Sequence, residues 1–247
     1  MSFAYGKHEV LSEVSLHIPY NRFTVILGRN GSGKSTLLRI LAHLAPYSSG
    51  SVRVRGEELN EMTSRKRARI IGFLAQKHKA IFPFTVEEVV LTGRAASVLV
   101  TPGEKDLRVA REAISLAGIG HLQDRLYTEL SGGEQQLVMI ARTLAQEPEI
   151  ILFDEPVSHL DYNNQIRIMD LIRQLLDRGL TVVAVLHDPN LAFLYGDRFA
   201  YIHQGKIHEI PEEKPWEHKL TKEVFDENID YIEHQGKVLF FPRGKQQ

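Results

Sequence analysis

Residues Gly28-Arg29-Asn30-Gly31-Ser32-Gly33-Lys34-Ser35 set two glycines, a lysine and a serine in the pattern G-x4-G-K-[ST], with Thr36 next. Such glycines let the backbone N–H groups of Gly31 to Lys34 wrap a polyphosphate. A helix starting there adds positive potential, and Lys34 reaches the outer phosphate oxygens. The Ser35 hydroxyl suits Mg²⁺. The apolar run before the loop and the helical spacing after it argue against an incidental glycine-rich turn.

Two further groups bear on phosphate chemistry. Leu130-Ser131-Gly132-Gly133-Glu134-Gln135 opens an amphipathic helix, and no capping rule demands two glycines behind a capping serine. Ser131 and the Gly133 amide make a second anion site at a helix N-terminus, about 100 residues from the first. Ile150-Ile151-Leu152-Phe153-Asp154-Glu155-Pro156 is an apolar strand delivering two carboxylates at its carboxyl end, where open α/β sheets bind ligands. Asp154 suits the Mg²⁺ side. Glu155, pointing the other way, can polarise an attacking water. His187 ends another apolar strand and can reach a γ-phosphate, although a lone histidine there is more often structural.

Around these groups, Phe23 to Leu27 reads as a strand, and Leu37, Leu38, Leu41 and Leu44 as the apolar stripe of the helix after the loop. Val10 to Ile18 alternates as a half-buried strand. Ser51 to Arg55 and Ile70 to Leu74 are further short strands, which with it make a small, mainly antiparallel sheet. Helical spacing then takes over. Thr85 with Glu88 fits a capping box, a helix from about Glu104 ends at Gly118, and Leu137, Ile140, Ala141, Leu144 and Ala145 form the clearest stripe. Asn163 to Leu176 reads as a helix and Thr181 to Leu186 as a buried strand, followed by Asp188 and Pro189 as N-cap and first helical residue. Buried strands alternating with helices predict an α/β core with a parallel sheet and a helical insert.

Composition narrows the chemistry further. The 247 residues carry 30 Lys+Arg against 31 Asp+Glu and no cysteine. Disulfides, thiolate metal sites and cysteine nucleophiles are excluded, and the cytosol is the expected compartment. No global basic field exists for nucleic acid, so phosphate binding must be local. The N-terminus lacks an apolar signal region, and no apolar run approaches the roughly 20 residues of a bilayer span.

Together these motifs resemble the nucleotide-binding subunit of an ATP-binding cassette (ABC) transporter, over nearly the whole chain. Gly28 to Thr36 resembles Walker A, Gln76 the Q-loop, Leu130 to Gln135 the family signature, and Ile150 to Asp154 Walker B. Glu155 resembles the catalytic glutamate, Ser158-His159-Leu160-Asp161 the D-loop and His187 the switch histidine. Tyr5 stands where the family places an aromatic that stacks on adenine. The departures are a short N-terminal strand, Arg29 at a frequent proline position, Val157 for threonine and His159 for alanine.

The resemblance implies a single ABC ATPase domain over residues 1–247. It has a P-loop NTPase (RecA-like) core, a mainly antiparallel β subdomain, a helical subdomain at about 85–145 and an extension at about 211–247. It implies an ATPase with ATP and Mg²⁺ as cofactors. Glu155, His187 and Gln76 are the catalytic set; Ser35, Gln76 and Asp154 are the metal side. Tyr5, Gly28, Asn30, Gly31, Ser32, Gly33, Lys34, Ser35, Thr36, Ser131, Gly133 and Asp161 contact nucleotide. Two copies sandwich ATP and drive separate transmembrane permease subunits, served indirectly by a substrate-binding protein, from the inner face of the cell membrane.

Ile71 to Gln76, Thr85 to Arg94 and the short tail look most like importers of metal chelates: ferric siderophore, haem or cobalamin, sometimes molybdate. The alternative from another class is a soluble ABC ATPase acting on nucleic acid or the ribosome, which usually has two cassettes, a coiled-coil insert or a basic arm. Ile81, Phe82, Pro83 and Phe84, apolar residues just after Gln76, are the expected permease-docking loop, with folding back onto the core as the alternative. The basic cluster Arg65-Lys66-Arg67 with Arg69 reads as a solvated helix face. His203 and His208 flank a Gly-Lys turn, lack a third metal ligand, and read as structural.

Overall fold

The computed structural model describes residues 1–6, 8–76, 83–98, 101–210, 213–225 and 229–243. In chain order these form β1 (Phe3–Tyr5), β2 (His8–Leu11), β3 (Phe23–Gly28), α1 (Lys34–Leu41), β4 (Arg53–Val54), β5 (Glu57–Glu58), α2 (Ser64–Ile70) and β6 (Ile71–Leu74). Next come α3 (Val86–Leu91), α4 (Glu104–Leu116), α5 (Gly132–Leu144), β7 (Ile150–Asp154) and α6 (Tyr162–Asp177). The remainder is β8 (Thr181–Val185), α7 (Pro189–Tyr195), β9 (Arg198–His203), β10 (Lys206–Ile210), α8 (Lys219–Phe225), β11 (Ile229–His234) and β12 (Lys237–Pro242). The chain divides into two compact units, one of Met1–Leu59 with Val182–Gln247 and one of Asn60–Thr181.

In the first unit β3 runs parallel to both β8 and β9, and β10 joins β9 antiparallel. Every residue of β3 is buried, which is why Phe23 to Leu27 reads as an unbroken apolar run and not as an alternation. α1 packs on β3, and α8 lies on β9 and β3. α7 holds the C-terminal β11–β12 hairpin: Asn190 exchanges hydrogen bonds with the Phe240 backbone, and the Phe193 and Phe240 rings stack at 5.2 Å. That hairpin follows a register of alternating residues the sequence signals only weakly.

The strand expected from Val10 to Ile18 stops at Leu11. Beyond it, Ser12 N–H donates to the Gly205 carbonyl and Val14 N–H to the Met1 carbonyl, so this backbone bonds single loop residues instead of a ladder. Alternating polarity permits a strand; only a neighbouring strand completes one.

In the second unit β6 and β7 pair parallel from Ile71 with Ile150 to Leu74 with Phe153. The Ile70–Leu74 segment therefore does not belong to an antiparallel sheet with residues 10–18 or 51–55. α3, α4 and α5 pack on one another, and α5 rests on β6. The stripe predicted for α5 is its buried face, with Leu137, Ile140, Ala141 and Leu144 all buried. Thr85 caps α3 in the expected reciprocal box with Glu88, and Gly118 ends α4 with φ +69°, a backbone conformation that disfavours side chains with a Cβ.

Candidate functional site

Gly28 closes β3 and residues 29–33 turn into α1. Thr63, Thr85, Ser131, Asp161 and Asp188 each cap a helix with a side-chain oxygen, whereas α1 begins at Gly33 with no side-chain cap. Its first N–H groups thus open onto the loop, the arrangement an anion requires. Gly33 adopts φ +101°, and a Cβ there would lie 2.9 Å from Val10 Cγ1. Lys34 is 5% exposed, and its ammonium donates to the Gly28 and Arg29 carbonyls at 2.8 and 2.9 Å. The Ser32 hydroxyl is buried without a hydrogen-bond partner. A lysine curled onto its own loop and an orphaned hydroxyl beside it fit a phosphate cradle.

Asn30 and Gly31 are exposed, Ser35 and Thr36 half-buried on α1, and His187 exposed just after β8. Tyr5 ends β1, but its side chain lies outside the described residues. All of these belong to the first unit.

The second unit brings together Gln76, Glu155 and Ser158. Gln76 Nε2 donates to Glu155 Oε2 at 2.5 Å, and the Ser158 hydroxyl donates to the same oxygen at 2.8 Å. Glu155 also adopts φ +54°, a left-handed conformation uncommon for a residue with a side chain. The strand end and following turn hold this carboxylate by its backbone while two donors hold its oxygen. Asp154, the last residue of β7, is 6% exposed.

Ser131 caps α5 through a complete box. Its hydroxyl and backbone N–H donate to Glu134 Oε2 at 2.8 and 2.9 Å, and the Glu134 N–H returns a bond of 3.4 Å. The Ser131 hydroxyl, then its N–H, hold the Glu134 carboxyl below the usual glutamate value. Ser131 and Gly132 are exposed, and Gly133 is buried. The second glycine, unexplained by capping, has a packing reason: a Cβ at Gly133 would come 2.5 Å from the Asn164 side chain. Asn164 is itself tied to Asp161, the N-cap of α6, by its backbone N–H at 2.9 Å and its amide at 2.7 Å. Those bonds, the backbone one foremost, keep the Asp161 carboxyl below its ordinary value.

Nothing local in the sequence signals the bond between Gln76 and Glu155 or the place of Asn164 behind Gly133. The same holds for Gln136, whose amide donates to the Pro156 carbonyl at 2.8 Å and joins α5 to the turn after Glu155. No local pattern marks such partners; they meet only through the packing of α5, α6 and β7.

An uncapped helix behind a glycine loop with a buried lysine, in a chain that also ends a buried strand in Asp-Glu, defines the P-loop ATPase class. A family model described as ABC transporter matches residues 11–158, and the chain belongs to that family. It is 42% identical over 205 residues to the hemin import ATP-binding protein HmuV of Gloeobacter violaceus, covering 80% of this chain and 74% of that protein. It is 40% identical over 210 residues to the ferric enterobactin transport ATP-binding protein FepC of Escherichia coli, covering 84% and 78%. A metal-chelate type ABC transporter in an inward-facing conformation matches 99% of this chain and 95% of its own with a TM-score of 0.85 at 26% identity.

The fold is accordingly that of an ABC ATPase cassette, α/β with a P-loop NTPase core. Its activity is ATP binding and hydrolysis. Cassettes of this kind pair with one another and work with membrane permease components. The nucleic-acid or ribosome alternative finds no support among the relatives. Among the described residues, no helix is long and apolar enough to cross a membrane.

Proposed function

We propose that this chain is the ATP-hydrolysing subunit of an importer of metal chelates such as haem, ferric siderophore or cobalamin. It acts at the inner face of the cell membrane on a separate permease. The cargo class rests on the likeness to HmuV, FepC and the metal-chelate type transporter. The residue roles rest above all on the carboxylate of Glu155, held by Gln76 and Ser158.

In this reading, Gly28 to Thr36 hold the phosphates of ATP, with Ser32 supplying its unpartnered hydroxyl and Lys34 exchanging two loop carbonyls for phosphate oxygens. For Mg²⁺, the residues that would offer oxygen are Ser35 of the first unit and Gln76 and Asp154 of the second, donors suited to a hard cation that would neutralise phosphate charge. Glu155 accepts the proton of the attacking water, and the bonds from Gln76 and Ser158 fix its carboxylate for that transfer. His187 contacts the γ-phosphate and Tyr5 stacks on adenine.

Ser131, Gly133 and Asp161 face the nucleotide of a second copy. Two anion-binding helix ends in one cassette are most simply used by sharing ATP across a two-fold axis. Because Gln76 donates directly to Glu155, displacement of the segment following Gln76 by a permease helix is felt at the base. Pro83 and Phe84 lie at the end of that segment and are exposed, while Ile81 and Phe82 lie outside the described residues.

The test is Glu155→Gln. It preserves shape and removes the base, so phosphate release falls about 10²- to 10⁴-fold while ATP binding persists. Turnover within threefold of wild type removes Glu155 from this role.

A further inference from the structure

Within the second unit, the turn after β7 is left-handed at both ends. Glu155 takes φ +54° and His159 φ +63°, and both carry a Cβ. Hydrogen bonds and packing must therefore hold a backbone that torsional preference opposes. Pro156 has no N–H to contribute. The turn's own backbone bonds are long: Ser158 N–H reaches the Glu155 carbonyl at 3.3 Å, and Leu160 N–H the Val157 carbonyl at 3.4 Å.

Two side-chain amides grip this turn from neighbouring helices. Gln136 of α5 donates to the Pro156 carbonyl at 2.8 Å, and Gln165 of α6 donates to the next carbonyl, that of Val157, at 3.4 Å. Pro156 and Val157 are buried, so water is a poor substitute for either donor. The Gln136 bond is the shorter of the two and the nearer to Glu155. Its neighbour Gln135 turns elsewhere and donates to the Tyr127 and Leu130 carbonyls ahead of α5. Ser158, which donates to the Glu155 carboxylate, is itself part of the gripped turn. Slackening the turn thus displaces both the backbone that carries the carboxylate and one of the donors that orient it.

We infer that Gln136 is a positioning residue for the base: it holds the turn after β7 from α5 and thereby sets where the Glu155 carboxylate stands. It acts through the turn and not on the nucleotide. The inference rests on the reading of Glu155 as the base, and it adds a residue that the reading does not include.

The test is a double-mutant cycle in the full chain, with hydrolysis of radiolabelled Mg-ATP and ATP affinity measured for wild type, Gln136→Leu, Glu155→Gln and the double variant. Leucine keeps the bulk and removes the donor. Gln136→Leu is expected to slow hydrolysis about tenfold or more while ATP affinity stays within about twofold of wild type. In the Glu155→Gln background the same change alters the residual rate by less than about twofold, because no base remains to be positioned. An equal fall in both backgrounds shows that Gln136 acts elsewhere and overturns the inference. So does a wild-type rate in Gln136→Leu when Glu155→Gln is slow, a result that leaves the base reading intact. A near-wild-type rate in Glu155→Gln removes the base reading and the inference with it. Gln136→Glu has the amide's shape but no proton to donate at neutral pH, so it reproduces the loss even if leucine disturbs packing; full activity in that variant also overturns the inference.

Discussion

Arg94→Met tests the internal logic of the helical part of the second unit. Arg94 is 2% exposed, and its guanidinium donates to the Ala145 carbonyl at 2.7 Å, to Glu147 at 2.7 Å and to Asp106 at 3.1 Å. One side chain thereby ties the turn after α3 to the start of α4 and the end of α5. Methionine keeps the length of the stem and removes the charge. Glu147, 59% exposed, is rehydrated at little cost, and Asp106 keeps its bond from the Gly103 N–H at 3.0 Å. The loss is therefore concentrated at the Ala145 carbonyl, where stranding a buried acceptor costs about 1–3 kcal/mol. At about 2–4 °C per kcal/mol for a chain of this size, the Tm falls by about 2–12 °C.

A pH signature separates this account from a general packing defect. The Gly103 N–H foremost, then Arg94, hold the Asp106 carboxyl below its ordinary value. A depressed folded pKa contributes stability that is present above the ordinary aspartate value of about 3.9 and lost as pH falls through the lowered one. With Arg94 gone that contribution shrinks, so the variant loses less stability than wild type between pH 5 and pH 2. Thermal unfolding followed by circular dichroism across that range measures both effects. A Tm within about 1 °C of wild type at pH 7, with unchanged acid sensitivity, refutes the clamp.

Three further outcomes are expected. With Mg-ATP, the Glu155→Gln protein dimerises by light scattering, and adding Ser131→Arg abolishes the dimer while P-loop binding of ATP persists; a monomer at saturating ATP sinks the sandwich. Gly133→Ala drives a Cβ against Asn164, so it lowers Tm despite alanine's better helix propensity, and Asn164→Gly restores it; additive effects of the two changes would show that the contact is not what requires glycine. Phe82→Ser with Phe84→Ser leaves basal ATPase nearly unchanged but removes cargo stimulation in reconstituted vesicles, and full stimulation would place the docking surface elsewhere.

The glycine loop between β3 and α1 was legible because its causes are local. Glycine spacing, a preceding apolar run and a following helical stripe are contiguous, and each acts on its own backbone: Gly33 takes φ +101° and leaves α1 uncapped. The capping boxes at Thr85 and Ser131 and the Asp188-Pro189 helix start were legible for the same reason, since a cap is an exchange between residues three positions apart or fewer. The pairing of Gln76 with Glu155 was not, because 79 positions separate them and only the parallel register of β6 on β7 sets both residues at the same strand ends.

Other features belong wholly to the tertiary structure. Val10 to Ile18 alternates as a strand should, yet only residues to Leu11 find a ladder partner. Gly133 looks redundant until Asn164 is set against it. Gln136 is unremarkable until α5 is set against the turn after β7. Local chemistry chooses what a segment is able to form, through torsional preference and capping. Which donors, acceptors and charges meet depends on hydrophobic packing that brings distant segments together, and one-dimensional spacing does not encode that proximity.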